Sequence, residues 1–292
     1  MELKRPGWHV RDTVLDPNQS TIIMGIVNAT PDSFSDGGRF LVEDAAVAQG
    51  ERLFDDGAHI VDVGGESTRP GAAAVGEAEE LRRVIGVVTR LTASGVPVSI
   101  NTSKPGVAAA AIGAGAAVVN DVKALEAEGM VDLCAATGVG VVLMHMQGDP
   151  RTMQRNPTYG DVVADVGEYL RARIRVAESS GIDRRAIAID PGIGFGKTLD
   201  HNLALLNGLP ALAAIGVPVL VGASRKAFLG TLSGLPVEER DVVTAVSSGI
   251  CVMNGASIVR VHDAGLTRDA VALADAMVRR MGEDEDDRSQ AA

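Results

Sequence analysis

Eight short apolar runs recur along the chain, each ending in a polar residue and each followed by a helical pattern. In order they are TIIMGIVN, HIVDVGG, VPVSIN, AAVVND, VGVVLMH, AIAID, VPVLVGAS and ASIVRVH. Most are apolar at every position instead of alternating, the pattern of parallel strands covered on both faces. With Asn28, Asp62, Asn101, Asn120, His145, Asp190, Ser224 and Arg260 as the polar ends, the spacings run from 19 to 45 residues. The shortest just holds a strand and a crossover helix. Eight βα units in about 250 residues predict an α/β chain folded as a single-domain (β/α)8 barrel. A doubly wound open sheet is the competing arrangement. The barrel better explains polar residues at all eight strand ends, because they would converge at its C-terminal face.

Between the runs the helical signals are ordinary. Glu43 to Gly57 has helical spacing and a terminal glycine, and Pro105 is well placed in the first turn of a helix. Residues 1–20 read as a lead-in whose one large apolar anchor is Trp8, which would plug the bottom of the domain or cover an edge. Residues 21–281 form the barrel. Residues 282–292 hold Glu283, Asp284, Glu285, Asp286 and Asp287 against Arg288, and such an acidic, apolar-poor tail is expected to be disordered. Neither a linker nor a shift in composition divides the chain.

Composition narrows the picture. Aromatic residues make up 3% and glycines number 34, so the core must be aliphatic. The formal charge of −11 gives no support to nucleic-acid binding, which calls for a basic face. No signal peptide and no membrane-length apolar run is present. Cys134 and Cys251 sit in apolar helical patterns and read as small core residues, which fits a cytoplasmic setting.

The strand ends carry the candidate chemistry. There is no P-loop, no zinc-binding His motif and no nucleophile elbow. Carboxylates Asp62 and Asp190 remain, with amides Asn28 and Asn120 and the cationic set Arg69, Lys226, Arg260 and His262. Asp190 with Asn120 can make flat, directional hydrogen bonds to a heterocycle edge, and Lys226 can donate to a ring carbonyl or nitrogen. Arg260 and His262 lie two apart on one strand and point the same way, which suits a phosphate group with the donors around Asn28. Asp32 and Asp36 could bring Mg²⁺ to a diphosphate. Each feature also has a plainer reading: Asp62 and Asn120 as turn formers, Arg260 and His262 as a solvated face, Asp32 and Asp36 as loop acids, His145 as a hydrogen-bonded barrel histidine.

Together MGIVNATPDSFSDGG, DVGGESTRPG, ND at 120–121, DPGIGFGK, GASRK and RVHD resemble the dihydropteroate synthase family, in its order, from Met24 to Asp263. The resemblance implies a (β/α)8 barrel, a homodimer and Mg²⁺. It also implies joining 6-hydroxymethyl-7,8-dihydropterin diphosphate to p-aminobenzoate, with sulfonamides as competitors. By the same resemblance Asp62, Asn101, Asn120, Met144, Asp190, Phe195 and Lys226 hold the pterin, with Asp190, Lys226 and Asn101 at the reacting end. Asn28, Arg260 and His262 would hold the diphosphate, Asn28 also lying near the metal, with Asp32 and Asp36 as further metal candidates. Thr68, Arg69, Pro70, Arg225 and Ala227 would serve the p-aminobenzoate side.

Two positions depart from the family pattern. Its third strand usually ends in Asp where this chain has Asn101, which removes a charge and predicts slower turnover. Many members have a hydroxyl residue where this chain has Ala227, so the helix N-terminus must bind the aminobenzoate carboxylate, and weaker binding is expected. Two other readings fit parts of the pattern. Asn101 motivates a catalytically weak pterin-binding paralogue. A pterin-dependent methyltransferase barrel is the other, although it would have no use for Asn28, Arg260 and His262.

Overall fold

A computed structural model describes residues 5–30, 39–69 and 71–290. The chain opens with a hairpin, β1 (Trp8–Val10) paired antiparallel with β2 (Thr13–Leu15). Eight parallel barrel strands follow: β3 (Ile22–Asn28), β4 (Ile60–Gly64), β5 (Val98–Asn101), β6 (Val118–Asp121), β7 (Gly140–Met144), β8 (Ile187–Asp190), β9 (Leu220–Val221) and β10 (Ile258–Val261). Hydrogen bonding runs in the order β8, β7, β6, β5, β4, β3, β10, β9. A parallel bridge between Ile189 and Val219 closes the ring, with the Ile189 N–H donating to the Pro218 carbonyl at 2.9 Å. The predicted barrel is therefore observed. Its seventh strand is shorter than the apolar run suggests, since Pro218 has no N–H to offer the ladder.

The uninterrupted apolar runs have a simple cause. Ile23, Val61, Val98, Val119, Val141, Ile187, Val221 and Val259 face the surrounding helices, while Ile22, Met24, Ile60, Val118, Val142, Ala188, Leu220 and Ile258 fill the barrel interior. Both faces are dry, so alternation vanishes from the sequence although the side chains still alternate in space. Trp8 joins the interior cluster fully buried, and its Nε1–H donates to the Ala186 carbonyl at 2.9 Å. The lead-in thus plugs the bottom of the barrel. Arg5 ties it further to Asp275 at 2.8 Å, on the last helix.

The crossovers are α1 (Arg39–Asp55), α2 (Glu77–Ala93), α3 (Pro105–Gly113), α4 (Met130–Thr137), α5 (Val162–Ser179), α6 (Leu199–Asn207), α7 (Leu209–Ala213), α8 (Ala227–Ser233), α9 (Asp241–Met253) and α10 (Ala264–Gln290). Pro105 opens α3, as the sequence predicts. The last helix, α10, runs on through the acidic stretch as far as Gln290. A helix already started against the barrel adds one hydrogen bond for each further residue it fixes, and neither Pro nor a second Gly follows Gly282 to stop it.

Candidate active site

The side-chain alternation that fills the barrel interior also sets what its mouth displays. Two residues beyond Ile60, Val118, Val142, Ala188 and Ile258 come Asp62, Asn120, Met144, Asp190 and Arg260, on the same inward face. Asn28, Asn101 and His262 occupy the corresponding edge of β3, β5 and β10. One strand apart in the ring, these groups meet although they are far apart in sequence.

Asp62 is the junction. It is fully buried, and its Oδ2 accepts from Arg260 Nε at 2.6 Å, Asn120 Nδ2 at 3.1 Å and Asn101 Nδ2 at 3.2 Å. Ser99 Oγ donates to Oδ1 at 2.6 Å. A buried carboxylate needs such donors, because its desolvation is otherwise costly. The arrangement fixes three neighbours at once. Asn120 and Asn101 spend an amide N–H on Asp62, so each keeps its carbonyl oxygen as an acceptor for a ligand. Arg260 engages through Nε, which leaves its two Nη groups for an anion.

Across the mouth, Asp190 and Lys226 form the second group. Asp190 Oδ1 accepts from the Gly192 N–H at 2.7 Å. Burial raises its pKa, opposed chiefly by the charge of Lys226. Burial pushes the Lys226 ammonium down to about 8, with Asp190 opposing. Lys226 Nζ donates to the Ile193 carbonyl and lies 4.6 Å from the centre of the Phe195 ring, a cation–π contact. The loop between them packs so closely that Gly192, at φ +68°, would place a Cβ 1.9 Å from the His145 carbonyl oxygen. Glycine is required there on two counts, backbone angle and space.

His262 corrects the cationic set drawn from the sequence. Burial first, then the charges of Arg225 and Arg260, push its pKa down to about 3, so the ring is neutral. Ser224 Oγ accepts from the His262 backbone N–H at 3.1 Å and sits 2.9 Å from Nδ1. With Nδ1 accepting from the Ser224 hydroxyl, the neutral ring presents Nε2–H as a donor. Arg225, at φ +55°, is forked onto Asp241 at 2.7 and 2.6 Å and is thereby committed to α9. Ala227 is exposed in the first turn of α8.

The loop after β4 carries Thr68, half-buried, and Arg69, exposed. Pro70, Asp32 and Asp36 lie outside the described residues. Glu66 closes this loop on itself and fastens it below: Oε1 accepts from the Val75 N–H at 3.1 Å, and Oε2 takes Lys104 Nζ. Lys104 also pairs with buried Glu80 on α2. Burial pulls the Lys104 pKa down, but its bonds to Glu66 and Glu80 outweigh this and raise it. At the far side the Gly71 N–H donates to the Pro150 carbonyl at 2.9 Å, so the loop reaches the segment after β7.

Some groups stay outside the mouth. Asp121, next to Asn120, faces outward and binds Ser103 Oγ and the N–H groups of Lys123 and Leu125 at 2.8 and 2.9 Å. It shapes a turn. His145 is buried beside Tyr169 and Lys197, the plainer role the sequence allowed it. The roles of Ser99, Glu66, Lys104, Lys197 and Ser224 do not emerge from the motifs.

This is a (β/α)8 barrel whose mouth sets a hydrogen-bonding edge for a flat heterocycle beside an anion site. The chain belongs to the pterin binding enzyme family, which matches residues 24–262. The dihydropteroate synthase of Bacillus subtilis is 41% identical over 276 residues, 94% of each chain. The structure of Xanthomonas albilineans dihydropteroate synthase with 4-aminobenzoic acid aligns with a TM-score of 0.87 at 47% identity, over 94% of this chain and 98% of that one. A Yersinia pestis dihydropteroate synthase solved as a sulfonamide drug complex aligns with a TM-score of 0.87 at 41% identity, over 93% and 98%.

Proposed function

We infer that this chain joins 6-hydroxymethyl-7,8-dihydropterin diphosphate to p-aminobenzoate, giving 7,8-dihydropteroate and diphosphate for folate biosynthesis. The observation that carries the reading is the meeting of two sets in one barrel mouth. Asp190, Asn120 and Lys226 offer a flat pattern of acceptors and donors, and Arg260 and His262 offer N–H donors to an anion. Asp62 joins the two by binding both Asn120 and Arg260.

The pterin edge binds to Asp190 and to the carbonyl oxygens of Asn120 and Asn101, with Met144 and Phe195 covering its faces. Lys226 donates to the ring. Arg260 Nη groups, His262 Nε2–H and Asn28 hold the diphosphate and take up charge as it leaves. Its departure leaves a methylene cation conjugated to the dihydropterin, which the Asp190 carboxylate stabilises. The arylamine then attacks, a step that needs position more than activation. The loop bearing Thr68, Arg69 and Pro70 holds p-aminobenzoate and keeps water from the cation. The first turn of α8, at Ala227, receives its carboxylate. Sulfonamides compete at this position.

Mg²⁺ belongs to this reading. Among the described residues no three His, Cys, Asp or Glu side chains converge as a metal cluster, and in this reading Asn28 is the metal ligand. That sparse set fits an ion held mainly by phosphate oxygens and water, with Asp32 or Asp36 adding a carboxylate. When bound, the ion neutralises charge on the leaving diphosphate.

The active form is a homodimer. Val242, Val246 and Ile250 lie at helical spacing on α9, and Leu266, Leu273 and Met277 on α10, which packs against it; each side chain is 45 to 66% exposed. A face of this kind, built on two packed helices, suits a second copy of the chain. No helix among the described residues is long and apolar enough to cross a membrane. Two free, buried cysteines accord with a cytoplasmic setting.

Calorimetric titration with the pterin diphosphate tests the assignment. Asp190→Asn should weaken binding by at least tenfold, because with Asn101 uncharged Asp190 is the principal anion facing the ring. Unchanged affinity would refute the placement of the pterin.

A further inference from the structure

Four successive carbonyls in the loop after β8 each accept a hydrogen bond from a side chain. Ile193 takes Lys226 Nζ, Gly194 takes Gln154 Nε2 at 2.6 Å, Phe195 takes Lys197 Nζ at 2.9 Å, and Gly196 takes the Tyr159 hydroxyl at 2.7 Å. The Gly194 N–H adds a bond to Asn202 Oδ1 at 2.7 Å, from α6. Surface loops ordinarily leave such carbonyls to water. This one is held from the segments after β7 and β9, from α6 and from within.

Lys197 is the most buried of the four donors, at 3% exposure, and lysine seldom occupies such a place unless its donors are used. Here they are: besides the Phe195 carbonyl, Nζ lies 3.0 Å from His145 Nδ1 and 3.5 Å from the His145 carbonyl oxygen. The Lys197 side chain therefore binds the backbone of Phe195 to the end of β7. The Phe195 ring, half-buried at the mouth, in turn stands against Lys226.

We propose that Lys197 is a positioning residue for the pterin pocket: by fixing the Phe195 carbonyl against His145 it sets the Phe195 ring and, through that ring, the Lys226 ammonium. It touches neither substrate. The proposal rests on the pterin reading of the mouth, and it adds a requirement that reading does not contain, that pterin affinity depends on a side chain behind the loop.

The test compares wild type with Lys197→Met, Lys197→Gln and Tyr159→Phe, each checked for folding by circular dichroism and thermal unfolding. Pterin diphosphate affinity is measured by calorimetry, and the p-aminobenzoate KM from turnover. Lys197→Met should weaken pterin binding about tenfold and leave the p-aminobenzoate KM within about twofold, the loss expected when the hydrogen bonds that fix the Phe195 carbonyl are removed. Lys197→Gln, which keeps two N–H donors, should recover part of the loss. Tyr159→Phe, which frees the neighbouring carbonyl, should weaken pterin binding about threefold. A folded Lys197→Met with wild-type pterin affinity would overturn the proposal, as would equal losses for both substrates. If Lys197→Met does not fold, Tyr159→Phe decides by the same split. Failure of the wild type to bind pterin diphosphate would instead remove the pterin reading itself.

Discussion

At Asn101 this chain carries an amide where its family resemblance implies an aspartate, and the structure shows what the amide does. It donates to Asp62 Oδ2 at 3.2 Å, where a carboxylate could only repel. Asn101→Asp should raise kcat several-fold by adding negative charge where the cation forms. It should also lower thermal stability by roughly 1–3 kcal/mol, since Asp62 loses a donor and gains a like charge. An unchanged kcat would make the charge at this position irrelevant. Lys226 supplies the second test. Its pKa is pushed down to about 8, so it carries its proton below that pH and loses it above. For the pterin substrate kcat/KM should fall as pH rises through about 8, and Lys226→Arg should move this limb upward because guanidinium stays charged. A flat profile between pH 7 and 9 would show that the ammonium is not needed. Neither the Asn101 contact nor the neutral state of His262 is visible in the sequence. Both depend on which groups meet across the ring and how dry the meeting is.

Elements were more legible than residues. Period-two geometry carries Asp62, Asn120, Asp190 and Arg260 to one edge, and it would also have found Ser99, two residues before Asn101 on the same face. Lys104 and Lys197 lie in loops, where no period says which way a side chain turns. The loop after β4 shows the consequence. Glu66 bridges its two ends and, through Lys104, anchors it to α2. Glu66→Gln should raise the p-aminobenzoate KM by about three- to tenfold while pterin affinity holds, since a charge-assisted anchor is exchanged for a weaker one. Equal effects on both substrates would show that this loop does not serve one of them in particular.

For the whole molecule, eight βα repeats predicted the closed barrel, and Trp8, read from the sequence as either a plug or an edge cover, packs into the barrel's interior cluster. The apolar face of α9 and α10 was hidden in the sequence, because helices on a barrel also carry an apolar stripe inward and the two stripes overlap in a linear reading. Sedimentation should give twice the 30.1 kDa chain mass for the wild type and a single chain for Val246→Asp combined with Ile250→Asp. A monomeric wild type would refute the dimer. The central claim is that this mouth performs the condensation with Asn101 in place. Its most direct measurement is diphosphate release on incubation with 6-hydroxymethyl-7,8-dihydropterin diphosphate, p-aminobenzoate and Mg²⁺. Release that requires both substrates and is abolished by Asp190→Asn is the predicted result. Pterin binding without release would contradict it and leave a binding protein built on an enzyme's barrel.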